Sequence, residues 1–213
     1  MFDDNGVWQP IEFTGSYNTA QVGSGIVYSS GVSSPDGTIA ASPNDATALF
    51  DGGTSTNCQT TTAGNGHYRA NIGITTSSGK FYFEYQPTGS NVSGMVGFAE
   101  EDHAATNNLN GATAYSYYGV TGYKQGSPSA VDSAYGATYT FGDVIGVAFD
   151  SDNGGSLEFF KNGVSQGVAF SNEFPNFPYY PAFSAGSSTN TVTYNVNFGQ
   201  KPFKFPPPDG FQP

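Results

Sequence analysis

The chain has 213 residues, with 6 basic against 17 acidic side chains for a formal net charge of −11, and 11% of its residues are charged while 15% are aromatic. That length accommodates one domain, or one domain with an arm, and the aromatic share excludes disorder throughout. Three Leu (Leu49, Leu109, Leu157) against 29 Gly and 13 Pro exclude a helical protein, and a single arginine, Arg69, excludes the clustered cations that a phosphate backbone requires.

In chain order, residues 1–35 are expected to form an extended arm, because Gly6, Gly15, Gly23, Gly25, Gly31 and Pro35 interrupt every short apolar piece. The opening Met1-Phe2-Asp3-Asp4 carries neither a basic stretch nor an apolar run, so a secretory signal is not expected. Trp8, the chain's one tryptophan, lies on this otherwise polar arm, and a large aromatic so placed is buried against something. Trp8, with Phe2 and Phe13, is read as a docking anchor, or else as packing on its own domain. Weak strand signals follow at 38–41 and 46–50, then a Thr-rich tract over 54–62 whose β-branched residues suit strands. It contains Cys58, which has no second cysteine to pair with and is read as a small core or surface residue.

From residue 68 the alternation becomes regular. Strands are expected at 68–74 and at 80–85, with Phe81, Phe83 and Tyr85 on one face, then at 94–98, 114–118 and 138–139. Others are expected at 144–149, 157–161, 180–183 and 191–198. The longest apolar run, 144–149, is far too short to span a bilayer. Asp152-Asn153-Gly154-Gly155 and Asn162-Gly163 have the composition of tight hairpin turns. Short strands, such turns and no helices between them predict an all-β, two-sheet antiparallel sandwich over 36–205, followed by a Pro-rich tail at 206–213.

Several of these pieces together resemble a SPRY domain: Ser78-Gly79-Lys80-Phe81-Tyr82-Phe83-Glu84, Val96-Gly97-Phe98-Ala99, Tyr118-Gly119, Gly142-Asp143-Val144-Ile145-Gly146, Phe159-Phe160-Lys161-Asn162-Gly163 and Tyr180-Pro181-Ala182. They run in the family's order over residues 66–201. The resemblance implies a concanavalin A-like jelly-roll sandwich that binds protein or glycan through loops at one end and catalyses nothing. The closing 197–203 and 207–211, together with 48–56, are similar to segments of bacteriophage virion, tail and appendage proteins. That second likeness implies a virion location, assembly in a host cytoplasm, and other virion proteins and self-association as partners.

Among candidate sites, Glu100-Glu101-Asp102-His103 offers acceptors for sugar hydroxyls or ligands for Ca²⁺, or else is a solvated loop. A glycosidase of this sandwich class needs paired carboxylates at fixed separation, and the third acid of that pattern is missing here. The segment 150–161 resembles a calcium loop, but Lys161 occupies its twelfth position, so a hairpin is the better reading. Two histidines, His67 and His103, and one cysteine support neither a transition-metal site nor a nucleophile. No cofactor is expected. The stretch 115–125 is rich in Tyr, whose flat face and hydroxyl suit stacking on a sugar or anchoring a peptide. Strand alternation buries Tyr115 and Tyr117 and exposes Tyr118, or the reverse. The ligand-contacting set is therefore taken as Tyr117, Tyr118, Tyr123 and Lys124, with Asn107, Asn108, Glu101 and Asp102 upstream and Tyr179 from the Pro-rich loop 174–181.

Three functions follow from these readings. The leading one is a non-enzymatic virion module that attaches to a host-surface glycan or protein. The alternative is a purely structural capsid or tail decoration protein, and the third a glycan-cleaving enzyme, which the missing acid pair disfavours. Neither nucleic acid nor membrane insertion is expected.

Overall fold

The structure is a computed structural model that describes residues 19–22, 26–29, 55–59, 67–70, 73–74, 79–88, 94–104, 107–126, 132–175, 178–186, 191–199 and 202–211. The arm residues Phe2, Trp8 and Phe13 and the expected strands 38–41 and 46–50 lie outside the described residues. The strands in chain order are β1 (Thr19–Val22), β2 (Ile26–Ser29), β3 (Ser55–Gln59), β4 (His67–Arg69), β5 (Lys80–Pro87), β6 (Gly94–Glu100) and β7 (Ala114–Tyr118). They continue as β8 (Tyr123–Gly126), β9 (Ser133–Ala134), β10 (Ile145–Asp150), β11 (Ser156–Lys161), β12 (Val164–Ser171), β13 (Tyr179–Ala185) and β14 (Thr191–Asn197). One six-stranded sheet runs β12-β11-β10-β5-β14-β3 and the other β4-β13-β6-β7-β8-β9. Every described strand pair is antiparallel, so the all-β two-sheet expectation holds. Among the described residues, no helix is long and apolar enough to cross a membrane.

Several boundaries differ from the sequence reading, each for a local reason. Part of the arm is not irregular, because β1 and β2 pair as a hairpin. The expected strand 68–74 stops at Arg69, and Ile74 rejoins the sheet through two backbone bonds to Tyr179. Residues 138–139 form no strand; they belong to a loop tied to other elements by Tyr139 N–H on the Gly119 carbonyl. β12 escapes the alternation rule because most of this edge strand is exposed on both faces. The Asn162-Gly163 turn adopts φ of 50° and 78°, the paired positive values of a two-residue hairpin. At 152–154 the chain makes one 3₁₀ turn instead, and the positive φ values fall on Gly154 and Gly155.

The core lies between the sheets and is aromatic. Phe83 and Tyr85 from β5 alternate inward as expected, and Val147 pairs across from Phe83. Phe98 and Phe149 bring their ring centres to 4.9 Å, and Tyr85 stacks on Phe183 with 7° between planes. Such side chains each contribute about 2 kcal/mol of burial.

Both sheets are also covered on their outer faces. Tyr82 and Glu84 point away from the core, yet both are buried, because residues 202–211 run back across β5. The Phe203 ring meets Tyr82 edge-on at 4.9 Å. Glu84 accepts the backbone N–H groups of Lys204 and Phe205, each at 2.9 Å, one on each oxygen. Lys80 closes the far end of this strap, lying 5.6 Å from the Phe211 ring centre and 3.0 Å from Asp150. On the other sheet, the loop between β6 and β7 lays Leu109 over Met95, Ala99, Ala114 and Ala182, and Ser116 donates to the Leu109 carbonyl at 2.6 Å.

Candidate binding surface

Side chains join the β12 edge of one sheet to the β8–β9 side of the other. Lys124 donates to the Ala169 carbonyl and lies 5.0 Å from the Phe170 ring centre. Tyr135 donates its hydroxyl proton to the Gly167 carbonyl while accepting the Phe159 N–H at 3.2 Å. These contacts occupy backbone acceptors that an edge strand would otherwise present to another chain.

At one end of the sandwich the turn between β7 and β8 meets the loop 135–143. Gly122 has φ of 72°, and a Cβ there would lie 2.2 Å from the Gly136 carbonyl oxygen, so only glycine fits. Gly119 N–H donates to Gly94 at 3.0 Å, and Tyr139 N–H donates to Gly119 at 3.0 Å. The Tyr139 hydroxyl sits 2.8 Å from the Gly94 carbonyl and 2.9 Å from that of Tyr117, which share its one proton. Burial raises the Tyr139 pKa well above that of a free phenol.

The loop continues to Asp143, which joins it to the β11–β12 turn. Asn162 accepts the Val144 N–H at 2.8 Å and donates to Asp143 at 2.7 Å. Asp143 also accepts the Thr140 N–H at 2.9 Å and pairs with Lys161 at 3.2 Å. Desolvation pushes its pKa up, but the Thr140 N–H, the Asn162 amide and Lys161 outweigh that and hold it below the usual carboxylate value. The Gly142-Asp143 and Asn162-Gly163 motifs, separate in sequence, are thus one bonded unit.

This framework holds apolar side chains in solvent. Among the described residues, five large hydrophobics are exposed, and four of them lie at this end: Val120 (43%) on the turn, Phe141 (61%) on the loop, and Tyr123 (38%) and Val164 (64%) at the first positions of β8 and β12. Apolar groups held out by rigid turns suit contact with a partner surface. The Asp143 carboxylate is engaged by three neighbours, so the end offers dispersion and stacking rather than acid–base chemistry.

The sequence-derived site residues do not converge. Tyr118 is half-buried and Tyr123 exposed, both at the apolar end. Glu101, Asp102 and Asn107 are exposed on the β6–β7 loop, which leaves the opposite end of β6. Four expectations are corrected. Tyr117 is fully buried, its hydroxyl donating to the Ala137 carbonyl and its ring 5.0 Å from Tyr139. Tyr179 is fully buried against Tyr115 and Phe174. Asn108 is buried and presents its carbonyl inward, to His103. The Lys124 ammonium is committed to the β12 edge. Of the two alternation readings, the structure agrees with the one that buries Tyr115 and Tyr117, but Tyr118 is half-buried against the Met95 cluster and not exposed. The sequence reading missed Val120, Phe141 and Val164; the signal available for Phe141 was a lone aromatic directly before a Gly-Asp turn.

Comparison with known proteins places these features in a wider set. The model of the SPRY domain matches residues 80–201. The chain is 44% identical to the E3 ubiquitin-protein ligase RKP of Arabidopsis thaliana over 82 residues, 37% of this chain and 6% of that protein. It is 34% identical to Ran-binding protein 9 of Homo sapiens over 140 residues, 64% of this chain and 18% of that protein. The chain thus spans less than a quarter of the length of these relatives, a plant and an animal protein, which lend no support to a phage setting. Among solved structures, the SPRY domain of human HERC1 superposes with a TM-score of 0.57 at 19% identity, covering 72% of this chain and 93% of that one, a likeness of fold.

Proposed function

The chain belongs to the SPRY domain family, a family of protein–protein interaction modules, and from that premise we propose that it is a non-catalytic binding module that reads a partner with the Val120, Tyr123, Phe141 and Val164 end. The observation that carries the reading is that four exposed large hydrophobics lie at one end of the sandwich, on or beside turns and a loop that hydrogen bonds fix. A rigid surface loses little entropy on binding. The ligand we assign is an apolar or aromatic protein segment or a glycan face, since neither asks for a charge at this end.

The setting we propose is a bacteriophage particle, with residues 1–35 docking the module and the sandwich attaching to a host surface. That part rests on the sequence alone: 6 basic residues in 213 and the likeness of 48–56 and of the closing segment to phage proteins.

The test is selection from a displayed random-peptide library on the wild-type chain and on a Tyr123→Ser/Phe141→Ser variant, with a bacterial glycan array in parallel. Ligands enriched by the wild type and lost by the variant, at unchanged thermal midpoint, support the reading. Ligands held equally by both move the site elsewhere. Labelled chain with and without residues 1–35, offered to bacterial cells and to phage particles, tests the setting. Cell binding that survives the deletion supports attachment; binding to particles alone, lost with the arm, makes this a decoration protein.

A further inference from the structure

The binding reading leaves unused the one described place where two imidazoles are buried together. His67 on β4 is 1% exposed and His103 on the β6–β7 loop is 4% exposed, with ring centres 4.8 Å apart at 54°. Each holds the loop by a backbone carbonyl. His67 Nδ1 is 2.9 Å from the Asn107 oxygen, and His103 Nε2 is 3.0 Å from that of Asn108. A carbonyl only accepts, so both nitrogens carry protons. Thr113 Oγ1 lies 2.7 Å from His103 Nδ1 and donates to it while that ring is neutral. His67 Nε2 is buried and has no hydrogen-bond partner. As a bare lone pair this costs less than as an N–H⁺, which would be an unsatisfied buried charge.

The surroundings reinforce the neutral state. Arg69 on β4 binds the Glu100 and Glu101 carbonyls at 3.0 and 2.7 Å, and its positive charge disfavours a second proton on either ring. Of the nearby acids, Asp102 favours charge on His103, and Glu100 is turned toward the Tyr115 hydroxyl. The loop that the imidazoles secure also carries Leu109, the lid over Met95, Ala99 and Ala182.

We infer that the His67–His103 pair is an acid-operated latch: neutral, it clamps the β6–β7 loop on the outer face of its sheet, and on protonation it releases the loop and uncovers the apolar patch beneath Leu109. Burial, the His103 ring and Arg69 outweigh the Asn107 bond and bring His67 down to about 4. Burial and Arg69 lower His103 as well, against the Asn108 bond and Asp102. Lowered values in the closed form mean that the open form binds protons first. The clamp is therefore at full strength above about pH 6.5 and weakens as pH falls toward 4, with opening favoured about tenfold per pH unit by His67 alone.

The experiment is hydrogen exchange on the full-length chain from pH 7 to 4, corrected for intrinsic rates, with histidine ring proton shifts followed by NMR. The expected result is at least a tenfold rise in opening at 107–113 by pH 5 while 139–149 stays protected, in step with both ring titrations. A His67→Gln/His103→Gln chain, which retains amide donors but cannot charge, is expected to lose that rise. A wild-type loop equally protected at pH 7 and 4, or rings titrating near 6.5 with no change in the loop, would overturn the latch. So would a rise that persists in the double variant, which would trace the effect to groups other than the imidazoles. Should the double variant fail to fold, the wild-type coincidence of ring titration and loop opening still decides.

Discussion

The two outer covers of this sandwich are held by opposite chemistry. Over β5, the strap 202–211 is gripped by a carboxylate that accepts backbone N–H groups. Over β6 and β7, the loop carrying Leu109 is gripped by imidazoles that donate to backbone carbonyls. A carboxylate on two N–H groups is a pair of charge-assisted bonds, whereas charge weakens the imidazole grip, because a second proton on His67 would be buried on Nε2 without an acceptor. The comparison teaches that the same task, pinning an irregular segment to a sheet, is done once by a charge and once by its absence, and that the difference makes one cover strong and the other conditional.

The largest way to break the comparison is Glu84→Ala. It leaves the Lys204 and Phe205 N–H groups without their acceptor, and about 3 kcal/mol of unfolding free energy should be lost, measured by urea denaturation, with tryptic cleavage after Lys204 appearing under native conditions. Acidification attacks the other cover. As pH falls from 7 to 4, the depressed His67 should remove on the order of 3 kcal/mol of stability, because the unfolded chain takes up a proton near 6.5 and the folded chain near 4. Thermal melts against pH check this, and the loss should shrink in His67→Gln.

Leu109→Ala tests the same cover without charge and should cost about 2–3 kcal/mol through the cavity over Met95 and Ala99. Smaller still, Asn162→Ala removes the acceptor of Val144 N–H and a donor to Asp143, costing about 1–2 kcal/mol by chemical denaturation. The smallest expected effect sharpens the contrast between covers and binding end. Phe141→Ser should change stability by no more than about 0.5 kcal/mol, since the ring is 61% exposed, while weakening whatever ligand the peptide selection yields.

What the sequence determined by itself was the class of fold, the inward face of β5 and the hairpin at Asn162-Gly163. Alternation placed Phe83 and Tyr85 inward, and Asn162-Gly163 closed its hairpin because few other pairs accept two positive φ values. Apart from Ser78 and Gly79, the motifs that resemble a SPRY domain lie within the span that matches that family. Those signals are local, each set by the backbone and a near neighbour.

What only the tertiary structure decided was which face of a strand stays wet. Tyr82 and Glu84 alternate outward, and no rule of period two foretells that residues more than a hundred positions away will bury them. Lys124 was legible as a cation beside tyrosines but not as the cap of an edge strand. Likewise, nothing within four residues of His67 marks its partner, because the contact with His103 arises only when β4 lies beside β13 and the β6–β7 loop folds back over the same sheet. Exposure, pairing and protonation depend on distances through space, and those are fixed by the packing of elements far apart in the chain.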